Sequence, residues 1–297
     1  MAAELAVSSV LNKSPSNWKE ASRALSSGSF SPFHLSEMKT AMGSIELWDG
    51  RTKKAKELLF SALQEPTENA LAQVVWASKE VDLAVPFSTV QVPGAFEADA
   101  LDARNRGDWE GTVQKCALWA ADESYSSRPY GLGSAVSVSI LEKPEDALAF
   151  ARRGLDTNPD HPGLLNNIAF SLVENGQAAE AKLELAKADF TKADDLAKAC
   201  ILATGGLIEY RLGNSAEGRE AYEKTLLFAT QRNNRLLKAT AQIYMAREEI
   251  RLGNREYLKV FHAGNEFIQE TGDAYTKAVA NRVWQQIDST INPVEKK

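Results

Sequence analysis

Apolar and polar positions alternate along this chain with a helical period, and the pattern is clearest in PGLLNNIAFSLVENGQAAEAKLELAKA, residues 162–188. Leu165, Ile168, Ala169 and Leu172 stand at i, i+3, i+4 and i+7, which places them on one face of a helix. Asn175-Gly176 then ends that helix, because glycine takes the left-handed conformation of a helix C-terminus at little cost. A second amphipathic helix follows, with Ala181, Leu185 and Ala188 on one side. Short side chains on both faces predict two antiparallel helices in close approach.

The same layout recurs along the chain. Ala147, Ala151 and Gly154 fall in a second helix that Pro144 opens, where the missing N–H costs nothing, and that Asn158-Pro159 closes. GGLIEYRLGNSAEGREAYEKTL repeats the unit around Gly206, Gly213, Gly218 and Tyr222, and AQIYMAREEIRLGNREYLKVFHAG around Ala246, Gly253 and Leu258. Upstream, Gly43, Gly50, Ala55, Leu59, Ala62 and Pro66 come in the same order, as do Ala100, Gly107, Trp109 and Cys116. A small residue, a turn glycine, an alanine midway along the second helix and a closing proline together resemble the tetratricopeptide repeat. Units beginning near 2, 36, 93, 128, 162, 199 and 239 are spaced by 34, 57, 35, 34, 37 and 40 residues, against a family period of about 34. The resemblance is strongest over 128–265 and weakest before 36.

The expected fold is therefore all-α. The resemblance implies a right-handed superhelix, an α-solenoid of antiparallel helix pairs. Four segments are expected: weaker helical hairpins over 1–80, a connector over 81–94, the repeat array over 95–272, and a capping helix with a short tail over 273–297. The 57-residue interval holds one unit, a further helix near Asn69–Lys79, and VDLAVPFSTVQVPG, whose two prolines and Val/Thr content predict an extended segment. The last helix, 273–289, has no partner in its own unit, as a terminal cap would not.

Composition narrows the class further. With 44% hydrophobic and 25% charged residues the chain has the profile of a folded globular protein. A formal charge of −6, with basic residues dispersed among acidic ones, argues against a nucleic-acid surface. No apolar run approaches the length of a membrane span, so no membrane insertion is expected. The N-terminus lacks a basic segment before an apolar one, as a secretory signal would have. Two cysteines make no disulfide framework. These features point to a cytoplasmic protein, and oligomeric state is left open.

No arrangement of residues carries a catalytic reading, and no cofactor or metal is expected. Gly131-Leu132-Gly133 starts like a dinucleotide loop but lacks its third glycine and a preceding strand, so it reads as helix packing. Ser16-x-x-Lys19 and Ser36-x-x-Lys39 match half of a Ser–Lys nucleophile motif without its other segments. His34, His161 and His262 share no ligand-like spacing, and His161 sits in a turn. Cys116 and Cys200 read as buried structural thiols. Glu248 and Glu249 are adjacent on a helix, so their carboxylates diverge. Asn12-Lys13-Ser14 is a formal glycosylation sequon that a cytoplasmic chain would not use. Trp18, Trp48, Trp109 and Trp119 read as wedges between packed helices.

The resemblance also implies where a guest would sit: on the inner, concave face, lined by the first helix of each unit. Positions on first helices facing away from their partners are Asn166, Asn167, Phe170, Leu207, Tyr210, Arg211, Tyr244, Arg247 and Arg251. The Tyr/Arg character of the C-terminal half predicts a protein or peptide partner, with an acidic segment or a C-terminal carboxylate as the matching guest. Cys200 and Thr204 stand where the family's carboxylate clamp would place basic residues. Two functions follow as expectations: a non-catalytic scaffold or adaptor, or a regulatory or sensing arm of a larger effector.

Overall fold

A computed structural model describes residues 18–293, apart from 84 and 86–89. The unit expected near residue 2, the Asn12 sequon, Ser16 and the middle of the 81–94 connector lie outside the described residues. Fifteen α-helices account for the described fold, and it contains no strand. The chain divides between Ala95 and Phe96 into two compact units.

The first unit contains α1 (Trp18–Ser26), α2 (Pro32–Trp48), α3 (Thr52–Ala62) and α4 (Glu68–Ala77). The N-cap hydroxyl of Ser31 accepts from His34 N, and that of Thr67 from Ala70 N, satisfying amides that a helix start leaves orphaned. Gly43 lets α2 and α3 meet closely: a Cβ at that position would lie 2.8 Å from Leu59 Cγ. Trp48, expected as a wedge, is instead 84% exposed. It is the last residue of α2, at the turn, where no described neighbour covers it. Trp18 packs against the cluster of Ala21, Leu35, Met38 and Met42.

The second unit runs through α5 (Phe96–Arg106), α6 (Trp109–Asp122), α7 (Arg128–Ser139), α8 (Pro144–Thr157), α9 (Pro162–Glu174), α10 (Ala178–Leu185), α11 (Asp195–Arg211), α12 (Ser215–Gln231), α13 (Arg235–Arg251), α14 (Leu258–Thr271) and α15 (Ala274–Ile291). A short 3-10 turn, Arg255–Tyr257, leads into α14. From α5 to α14 the helices form five successive hairpins.

One turn geometry joins most hairpins. Gly107, Gly176, Gly213 and Gly253 have φ between 76° and 94°, and Gly50 in the first unit has 76°. After each, the next residue's N–H bonds the carbonyl five residues back, as Gln177 does to Leu172 and Asn254 to Glu249. Between α7 and α8 this position belongs to Glu142, at φ 52°, a left-handed conformation that a side chain makes costly. The turn positions 107, 142, 176, 213 and 253 are spaced by 35, 34, 37 and 40 residues, the intervals expected from the sequence units.

Small residues set how closely the helices approach. Gly206 and Gly218 face each other across α11 and α12, where a Cβ on either would lie 3.0 Å from the other's carbonyl oxygen. Gly154 admits Tyr130 and Leu164, and Gly133 admits Phe150 and Cys116. Gly131 behaves differently. An added Cβ there would meet nothing within 4 Å, so its packing role is corrected: it borders open space.

The odd-numbered helices also pack on one another, α7 on α9, α9 on α11, α11 on α13 and α13 on α15. The last helix then returns to the start of its unit, because α15 packs on α5. Asp273 pairs with Arg104, and Trp109 meets Tyr275 edge-on at 6.4 Å. Farther along α15, Arg282 pairs with Glu142. Arg128 pairs with Glu97, joining α7 to α5, and Leu132 packs against the cluster of Ala100, Cys116 and Trp119. The inner helices thus form a closed wall.

Candidate binding cavity

Inside that wall is a cavity of about 550 Å³. Each inner helix contributes: Arg104 from α5, Leu132 and Ala135 from α7, Asn166 and Phe170 from α9, Ala203 and Leu207 from α11, Tyr244 from α13, and Tyr275 and Val279 from α15. Phe170 and Tyr244 meet edge to face at 5.9 Å, fixing two aromatic walls against each other. Space is kept by small residues at Gly131, Ala135, Ala199 and Ala203.

Five of the nine positions expected on an inner face line this cavity: Asn166, Asn167, Phe170, Leu207 and Tyr244. Asn167 is committed to the protein, its Nδ2 donating to Ser134 Oγ at 2.8 Å and to the Gly131 carbonyl at 3.2 Å. Asn166 is not. It is only 6% exposed, and its Oδ1 is buried with no partner among the described residues. Buried side-chain oxygens in folded proteins are nearly always hydrogen-bonded, and this one is an exception.

The other four positions lie elsewhere. Tyr210 turns toward its own second helix, beside Gly218 and Tyr222, and donates to Glu249 Oε1 at 2.5 Å. This corrects its placement away from that helix: the missing Cβ of Gly218 makes room for the ring. Arg211 Nε donates to Glu248 Oε2 at 2.8 Å, and Arg251 donates to Glu248 Oε1 at 3.3 Å. Arg247, 1% exposed, reaches Glu174, Glu248 and Gln286 at 2.7, 2.7 and 2.8 Å. Arg211 and Arg251 occupy the last turns of α11 and α13, where a cation also meets the negative end of the helix dipole, and Arg247 lies one turn earlier in α13. Each is paired within the protein, three cations sharing the carboxylates of Glu174 and Glu248.

Glu249 anchors a neighbouring cluster. Arg219 holds both of its oxygens at 2.7 and 2.9 Å, with Tyr210 and Asn254 adding hydrogen bonds. Burial pushes the Glu249 carboxyl upward, but the donors from Arg219, Tyr210 and Asn254 outweigh it and leave its pKa below the ordinary value. For Arg247 burial acts against the charge, and Glu174 and Glu248 reverse that, raising its pKa.

The chemistry of the cavity itself is quiet. Cys200 lines it, its thiol pushed up to about 11 by burial and then by Asp194, so the thiolate is scarce at neutral pH. Cys116 is buried between helices, and burial raises its pKa to about 12. His161 caps α9, its Nδ1 accepting from Leu164 N at 3.3 Å. His34 Nδ1 lies 2.8 Å from Ser31 Oγ, and His262 lies beside Trp284. Among the described residues no cluster of three His, Cys, Asp or Glu side chains could hold a metal ion.

Sequence periodicity singled out Asn166 by its face, but nothing local distinguishes it from Asn167. Leu132, Ala203 and Tyr275 were missed, because their shared wall exists only once α15 meets α5. No family model matches the chain, and no curated protein matches it either.

Proposed function

We propose that residues 96–293 form a tetratricopeptide-type α-solenoid, a right-handed superhelix that acts as a non-catalytic scaffold or adaptor for a protein or peptide partner. The observation that carries this reading is the inner wall itself, in which successive first helices converge on one cavity lined largely by apolar side chains. Pockets of this size and character are the usual places where proteins hold guests. The turn spacing and the small residues at helix crossings support the family assignment.

An acidic guest is no longer part of the proposal, because Arg211, Arg247 and Arg251 are already paired with Glu174 and Glu248. Nucleic acid does not suit the dispersed charge of an acidic chain. No helix among the described residues is long and apolar enough to cross a membrane. The two free cysteines favour a reducing, cytoplasmic setting. A second reading is a regulatory or sensing arm of a larger effector. The test is capture of partners from native extract with wild type and with Ala203→Phe, which fills the cavity. Loss of specific partners from a variant that keeps its thermal transition supports the inner face as the binding surface; an unchanged partner set contradicts it.

A further inference from the structure

We infer that the cavity of residues 96–293 receives large, uncharged apolar side chains that a protein partner projects from an extended segment, entering at the N-terminal ends of the inner helices. The inference rests on the reading of the inner face as a partner-binding surface and specifies what the partner presents to it.

The cavity has one sealed end and one that meets solvent. No residue of α9 after Phe170, of α11 after Leu207 or of α13 after Tyr244 lines it. At that end the Arg247 guanidinium lies 5.1 Å from the Tyr244 ring centre. Arg247, 1% exposed, ties Glu174 of α9 to Glu248 of α13 and to Gln286 of α15, so the C-terminal ends of the inner helices close over the cavity. The opposite end is marked by Leu196 in the first turn of α11 and by Leu236 and Leu237 in the first turn of α13. Leu196 lines the cavity and is nevertheless 61% exposed. A lone exposed leucine means little, but this one carries the apolar lining out to the protein surface. A guest enclosed within the cavity would leave Leu196 uncovered. A chain that lies across the rim and sends side chains inward covers both.

The lining also sets the chemistry of those side chains. Arg104 is the only charged residue among the described ones that line the cavity, and it is held by Asp273 with its guanidinium 5.3 Å from the Tyr275 ring centre. An ionised side chain entering here would give up its hydration and find no free counter-charge. An apolar one loses nothing of that kind and displaces water from Leu132, Phe170 and Val279. The volume of about 550 Å³ exceeds that of any single side chain, so neighbouring anchors can enter together. Anchors seated in such a pocket, ringed by contacts that exclude water, carry most of the affinity of a protein interface.

The test is selection of peptides from a random library displayed on phage, against the full wild-type chain, with counter-selection on Ala203→Phe, whose ring fills the cavity. Enriched peptides should carry neighbouring Leu, Ile, Phe or Trp residues with no Asp, Glu, Lys or Arg between them. Synthesised with blocked ends, such a peptide should bind with an affinity that changes less than about twofold between about 0.05 and 0.5 M salt, because no charge pair is screened. Replacing its apolar pair by alanine should weaken binding at least about tenfold. Leu196→Asp should weaken it by at least about as much, and this exposed position keeps the inference testable if Ala203→Phe fails to fold. Enriched peptides that bind through charged residues, or affinity that falls steeply with salt, overturn the apolar anchor. Unchanged affinity in Leu196→Asp overturns entry at that rim. If no peptide distinguishes wild type from either variant, the inference falls; binding of N-phenylnaphthylamine that Ala203→Phe abolishes would then assign the cavity to a free small molecule. Partner capture from native extract separates this failure from that of the broader reading. Partners lost with Ala203→Phe leave the inner face as the binding surface, and an unchanged partner set removes that reading as well.

Discussion

Arg247 is a charged residue inside the protein, and its surroundings decide what it does there. Burying a guanidinium is tolerable only when carboxylates and further hydrogen bonds replace water, and Glu174, Glu248 and Gln286 do so. Removing the cation leaves Glu174 with only Arg211, at 3.8 Å, although Glu248 keeps Arg211 and Arg251. Arg247→Met is therefore expected to destabilise the second unit by about 3–5 kcal/mol, measured by urea denaturation, with no gain or loss specific to a charged ligand. Glu249 gives a pH signature. Its folded pKa lies below the unfolded value of about 4.3, so its contribution is complete above that pH and fades as pH falls through the folded pKa. Glu249→Gln should melt lower than wild type at pH 7, and the gap should narrow below about pH 4. A constant gap across that range would contradict the assignment.

At the scale of elements, the hairpins depend on turn conformation and on helix approach. Glu142 occupies a turn position where the other hairpins of the second unit use glycine, and its carboxylate holds Arg282 on α15 while accepting from Gln286 at 2.9 Å. Two effects therefore oppose each other at one residue: a left-handed φ that disfavours a side chain, and a tie to the last helix. Both Glu142→Ala and Glu142→Gly lose the tie, but only glycine relieves the backbone. The glycine variant should be more stable than the alanine variant by about 1 kcal/mol. The α11–α12 crossing is a separate test. Gly218→Val would drive a side chain into Tyr210 and the Gly206 carbonyl, with an expected cost of about 1–3 kcal/mol in denaturant titrations.

For the molecule as a whole, α15 is the element with the widest reach. Val279, Val283 and Ile287 bury against Ile243, Ile250, Phe261 and Ile268, while the same helix touches α5 and the turn at Glu142. A chain ending at residue 272 would expose both faces of that contact. At roughly 1.5–3 kcal/mol for each large apolar side chain uncovered, the truncated second unit should lose roughly 5 kcal/mol or more. The expected observation is a lower, broader thermal transition together with new binding of a hydrophobic dye. A truncated chain that melts like wild type would remove α15 from the core.

How far these features could be foreseen depends on the distance over which they are decided. Helix existence, hairpin pairing and turn positions were legible, since Leu165, Ile168 and Leu172 mark a face and Gly176 or Gly213 marks a stop by local geometry alone. The inward face of α9 followed from the same period, which is why Asn166, Asn167 and Phe170 were found. Periodicity assigns a residue to a face of its own helix, but it does not say what meets that face from another hairpin. Arg211 and Arg247 thus looked like a free basic stripe until Glu174 and Glu248 were brought against them, and Tyr210 turned inward because Gly218 left room for its ring. Trp48 gave no local sign that its turn would lie uncovered. By itself the sequence determined a set of helical hairpins with a recurring spacing, because caps, turns and amphipathic faces are local properties. Only the tertiary structure decided that α15 would close on α5 around a cavity and that Glu174 and Glu248 would meet the arginines, because Arg104 and Asp273 are 169 positions apart, Arg247 and Glu174 73, and Arg211 and Glu248 37.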